Sequence, residues 1–103
     1  MEINLTSKNF ESVVMGSEIP VLIDFWEEWC APCMMLSPIV AEIAEENDDL
    51  LVCKVNVDEE QELAIAFGVE SIPALFVIKG GKIVNQTVGY HSKEDILKLV
   101  EEN

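Results

Sequence analysis

The chain has 103 residues, 50% hydrophobic and 25% charged, which is enough for one domain over residues 1–103 and leaves no room for a second. Twenty acidic residues against six lysines, with no arginine, give a net charge of −14. This argues against nucleic-acid and anionic-membrane partners, which need clustered positive charge, and the absence of a basic, apolar leader or of a run near the ~18 apolar residues that span a bilayer leads us to expect a soluble cytoplasmic protein.

The elements read as short strands alternating with amphipathic helices. Residues 2–5 form a candidate strand, and Thr6 or Ser7 can cap a helix that carries Phe10, Val13 and Val14 at helical spacing. After a break at residues 16–20, residues 21–26 are nearly continuous apolar sequence, the mark of a strand covered on both faces. Asp24 is the exception in that run. Leu36, Ile39, Val40, Ile43 and Ala44 then define one buried stripe of a helix that Pro38 should kink. In the strand at residues 50–57, Leu51, Cys53, Val55 and Val57 share one face, and Val52, Lys54 and Asn56 the other.

Asp58 with Gln61 resembles a capping box for a helix carrying Leu63, Ala66 and Phe67, which Gly68 stops. Residues 74–78 and 82–88 are strands joined by Gly80-Gly81, a hairpin signal that makes them antiparallel. Ser92 opens the last helix, with Ile96, Leu97 and Val100 facing in. The order is βαβαβαββα: an α/β fold with a central mixed five-stranded sheet flanked by four helices on its two faces.

Three cysteines and one histidine are too few for a disulfide-stapled scaffold, so a disulfide here is expected to be chemistry. Trp29-Cys30-Ala31-Pro32-Cys33 joins a buried strand to a helix, where the unpaired N–H groups of the first turn favour a thiolate. Cys30, at the exposed edge, is the expected attacking sulfur, and Cys33, one turn inward, the resolving thiol. Pro32 fixes φ for a helix start and gives up an N–H that would have had no partner. Asp24, buried in its strand, should have a raised pKa that Lys54 opposes if it reaches across from the adjoining strand. A carboxylate of that kind near Cys33 is suited to accept the resolving thiol's proton.

These residues together resemble the thioredoxin family over essentially the whole chain. The matching features are Asp24 to Trp26 at a strand end, the motif at 29–33, the strand Lys54 to Asp58, Ile72-Pro73 ahead of a strand, and Gly89 after the last strand. The resemblance implies a cis Pro73 lying against the disulfide, with the Ile72 backbone pairing with the target chain. It further implies a docking surface of Trp29, Ile72, Pro73 and Gly89. The implied function is reduction of disulfides in substrate proteins by a monomer recharged by a thioredoxin reductase, without cofactor or metal. The alternative is a non-catalytic binding module or partner subunit on the same fold.

Two residues depart from the family pattern: Ala31 stands where glycine is usual, and Met34 where lysine or arginine is usual. Ala31 narrows the freedom of a residue already restricted by Pro32, and Met34 removes a cation from beside the thiols. With the net charge, the loss of that cation opposes the Cys30 thiolate and favours a reductant over a strong oxidant. Zinc held by Cys30, Cys33, Cys53 and His91 has the right ligand count but the wrong spacing. Cys53 reads instead as a small core residue, and His91 as a solvated loop residue. Met34 and Met35 either pad the helix start or widen an apolar docking surface.

Overall fold

The computed structural model describes residues 1–102, among which five strands form one sheet: β1 (Glu2–Asn4), β2 (Val21–Trp26), β3 (Leu51–Asn56), β4 (Ala74–Lys79) and β5 (Lys82–Val88). Their order is β1-β3-β2-β4-β5. β1, β3 and β2 are parallel, β4 runs antiparallel to β2, and β5 antiparallel to β4. The mixed sheet expected from the element order is therefore present. The turn between β4 and β5 places Gly80 at φ 60° and Gly81 at φ 77°, the left-handed pair that a two-residue hairpin requires.

Alternation along β2 divides the core in two. Ile23 and Phe25 join Cys53, Val55, Ala74 and Phe76 on the face covered by Val14 and by Leu63 of α2 (Gln61–Ala66). Leu22 joins Val52, Leu75 and Val77 on the face covered by α1 (Ala31–Glu46) and α3 (Lys93–Glu101) through Leu36, Val40, Ile43 and Ile96. Leu97 and Val100 pack against that second cluster as expected. Lys93 bonds Glu42 and Glu46, tying α3 to α1. The Ser92 hydroxyl accepts from the Asp95 N–H at 3.1 Å, which is the expected cap.

Local details correct the sequence reading. The Thr6 hydroxyl does cap the segment after β1, accepting from the Lys8 and Asn9 N–H groups at 3.2 Å each, but Glu11–Met15 then winds as a short π-helix. Asp58 does not form a capping box. The Asn56 side chain accepts from the Asp58 and Glu59 N–H groups instead, and Glu60 precedes α2 without a side-chain cap bond. Asn56, at the end of β3, satisfies the turn before the helix begins. α1 spans Ala31–Glu46 with Pro38 inside it.

Candidate active site

β2 and β3 end side by side, joined by the Val57 N–H to the Trp26 carbonyl at 2.9 Å. The chain then turns through residues 27–30, closed by the Cys30 N–H to the Glu27 carbonyl at 3.4 Å, and enters α1. Cys30 is the N-cap residue, with extended backbone, and its sulfur accepts the Cys33 N–H at 3.2 Å. A sulfur takes the place that a serine or aspartate oxygen fills at other helix starts. Pro32 sits in the first turn, where an N–H would have had no intrahelical partner.

Cys30 and Cys33 form a disulfide with Cα atoms 5.2 Å apart. Cys33 is 1% exposed, whereas Cys30 is half-buried at the rim and Ala31 and Pro32 face solvent. Trp29 is 86% exposed, so nothing in the core holds its ring. The helix start aims partial positive charge at the Cys30 sulfur, which stabilises a thiolate once the bond is reduced.

Two further segments meet the disulfide. The Ile72–Pro73 peptide is cis, and the Ile72 carbonyl lies 3.8 Å from the Cys30 sulfur. The Pro73 carbonyl accepts the Gly89 N–H at 2.8 Å, and Gly89 has φ 87°, a conformation open to glycine with little strain. The fold thus brings Cys30, Cys33, Ile72, Pro73 and Gly89 together at one end of the sheet, with Trp29 beside them. A cavity of about 480 Å³ bounded in part by Ser71, Ala74 and Val88 opens next to the cis peptide.

Asp24 is 1% exposed on the α1 face of β2, opposite Lys54 in register. The Lys54 ammonium lies 3.9 Å from the Asp24 carboxylate, donates to the Ser37 hydroxyl at 3.0 Å, and sits 5.1 Å from the centre of the Trp26 ring. Neither Asp24 oxygen has a hydrogen-bond partner among the described residues. Burial therefore dominates and pushes the Asp24 carboxyl up to about 6, with Lys54 opposing and Glu2 adding to the rise. That is the direction expected from the sequence. Cys53 is fully buried in the α2-side cluster, where burial pushes its thiol up to about 12.

One side chain stands differently from the sequence reading. His91 is not a freely solvated loop residue, because its Nε2 lies 2.9 Å from the Thr87 hydroxyl and 3.1 Å from the Val88 carbonyl. Trp26 is half-buried, shared between the sheet end and Lys54. Met34 and Met35 are 42% and 61% exposed, which fits the second of their two readings, added apolar surface beside the disulfide. Sequence reasoning passed over Ser37 and Glu2. Ser37 could have been found one helical turn after Cys33. Glu2 could not, because its proximity to Asp24 depends on β1 lying beside β3.

A family model described as Thioredoxin matches residues 2–102. The thioredoxin of Rickettsia bellii is 40% identical over 104 residues, covering 100% of this chain and 99% of its own. Those of Chlorobaculum thiosulfatiphilum and Alicyclobacillus acidocaldarius are 42% and 46% identical over 95% and 89% of this chain and 92% and 88% of theirs. With that match running the length of the chain and a disulfide closed across the start of α1, the chain belongs to the thioredoxin family, and the Cys30–Cys33 pair carries its dithiol/disulfide redox function.

Proposed function

We propose that the protein is a protein-disulfide reductase in which Cys30 is the nucleophile and Cys33 the resolving thiol. The observation that carries this reading is the contrast between the two sulfurs: Cys30 is accessible and capped by a backbone N–H, whereas Cys33 is 1% exposed. In the reduced protein the Cys30 thiolate attacks one sulfur of a target disulfide, forming a mixed disulfide and releasing one target thiolate. Asp24 then accepts the Cys33 proton through a water. The Cys33 thiolate attacks the Cys30 sulfur, the Cys30–Cys33 bond forms, and the second target thiolate leaves. Two electrons pass to the target, and each departing thiolate is protonated by solvent.

Trp29, Ile72, Pro73 and Gly89 receive the target chain in this reading, and Ile72 presents its backbone beside the reacting sulfur. Ala31 and Pro32 set the shape of the loop in both redox states, and Lys54 holds the charge beside Asp24. Recharging falls to a thioredoxin reductase, with the protein acting as a monomer of one domain. A reducing compartment such as the cytoplasm suits it, because thiols there are kept reduced. The test is Cys33→Ser incubated with a disulfide-bonded protein, then mass mapping of the adduct. A mixed disulfide on Cys30 is expected. An adduct mainly on Cys53, or no turnover by the parent protein, would leave the pair a structural role only.

A further inference from the structure

The residues around the disulfide combine an apolar surface with carboxylates. Trp29 is 86% exposed, and Met34 and Met35, on the first turns of α1, are 42% and 61% exposed. Exposed thioethers beside an indole form an adaptable apolar contact surface. Glu27 and Glu28 occupy the loop that leads into Cys30, and Asp58 follows β3 at the same end of the sheet. Desolvation first, and the neighbouring Asp58 carboxyl second, push the Glu27 carboxyl up.

Lysines do not balance this end. Lys54 is drawn inward to Asp24 and Ser37, Lys93 is taken by Glu42 and Glu46, and Lys79 and Lys82 flank the hairpin at the opposite end of the sheet. Lys8 follows β1 on this side, and Lys98 lies in the last turn of α3. A basic residue at position 34 would have offset the carboxylates, and Met34 adds apolar area there instead. Two carboxyls held together gain from a cation that settles between them.

We propose that this surface selects target proteins in which lysine or arginine, next to an apolar residue, flanks the disulfide to be reduced. The proposal rests on the reductase reading and names its substrate class. The apolar residue meets Trp29 and the methionines while the cation meets Glu27, Glu28 and Asp58. Charge steering of this kind acts mainly on the association rate and weakens with salt.

The test uses three disulfide-bonded peptides of one sequence, with lysine, serine or glutamate flanking the cystine, and the second-order rate constant for each with the reduced protein. Reduction of the serine peptide by the parent protein reports the redox reading alone, and its absence would sink that reading and this one together. Given that reduction, the lysine peptide should react about 10-fold or more faster than the glutamate peptide at low ionic strength, with the ratio shrinking toward unity at ~0.5 M salt. E27Q/E28Q/D58N should narrow the ratio about 3-fold or more. E18Q/D48N/D49N changes the total charge equally at the other end of the sheet and should leave the ratio nearly unchanged. Equal rates for the two charged peptides would overturn the proposal. So would equal narrowing by both triple variants, which would assign the preference to net charge rather than to this surface.

Discussion

The two faces of the sheet are equally well buried but hold different kinds of group. On the α2 side, Phe10, Phe25, Phe67 and Phe76 pack ring against ring, with neighbouring centroids 5.0 to 5.6 Å apart, and Cys53 is enclosed beneath the same cover. On the α1 side, the same apolar packing surrounds Asp24, with Lys54 and Ser37 reaching toward it from β3 and α1. Burial raises the pKa of both Asp24 and Cys53, but it takes the carboxyl to about 6 and the thiol to about 12. Asp24 is left titrating near neutrality, where it can take up and release a proton, and Cys53 is left inert. One face closes around aromatic rings, and the other holds a titratable carboxyl.

The largest expected effect is the reactivity gap between the cysteines. At pH 7 a thiol with a pKa of about 12 has roughly 1 part in 10⁵ as thiolate, whereas a helix-capping cysteine is ionised to a substantial degree. In the reduced protein, Cys30 should be alkylated by iodoacetamide at least ~10⁴-fold faster than Cys53, read by peptide mapping over time. Comparable labelling of Cys53 would mean that the α2 face opens readily, and the contrast between the faces would fail. Phe76→Ala removes a ring that packs against Phe25 and Phe67 and should cost ~3–5 kcal/mol in a urea melt. The alkylation rate of Cys30 should hold at temperatures where this variant stays folded. A matching loss of Cys30 reactivity would show that the two faces are not separable.

Much of this division was legible in the sequence. Strict alternation in β3 assigned Cys53 and Lys54 to opposite faces, and the single aspartate in an apolar run marked Asp24 as buried. Gly80-Gly81, Ser92 and the motif at 29–33 acted through local chemistry, which sequence carries directly. What failed depended on competition between neighbours. Asp58 could cap α2 in isolation, but Asn56 reaches the same turn first. His91 had no visible partner because Thr87 and Val88 become its neighbours only when the chain folds back after Gly89. The contribution of Glu2 required the strand order, which composition and periodicity do not encode.

Asp24→Asn tests the charged face. A folded pKa of about 6 against an ordinary 3.8 means that the native state binds more protons than the unfolded chain between those values. Stability therefore falls as pH rises from about 3.8 through about 6, and at pH 7 the whole cost, about 3 kcal/mol, is present. The asparagine variant should be more stable than the parent at pH 7, and the difference should vanish toward pH 4 in parallel urea melts. Its mixed disulfides should resolve on the order of 10²-fold more slowly, because Cys33 loses its proton acceptor. A variant less stable than the parent at pH 7, with undiminished turnover, would remove both the burial cost and the proton-transfer role.

Glu2→Gln should have the smallest effect and gives the sharpest test of what tunes Asp24. Glu2 pairs in register with Val52, two residues before Lys54, and its Oε2 is buried without a hydrogen-bond partner among the described residues. Its charge raises the Asp24 pKa, but it ranks behind burial, which raises it most, and Lys54, which lowers it. Glutamine keeps the volume and removes the charge. Asp24 should then titrate at a lower pH, and the acid limb of the resolving step should move the same way, by less than the displacement that burial produces. A lower folded pKa also reduces the proton excess of the native state, so the variant should gain a little stability at pH 7. Carboxyl-detected titration of Asp24 by NMR, alongside the pH profile of mixed-disulfide decay, reads both. No movement in either would leave desolvation as the sole cause of the raised pKa. Movement to higher pH would mean that Glu2 bonds to the ionised Asp24 as a protonated acid and favours its charge, reversing the assigned sign.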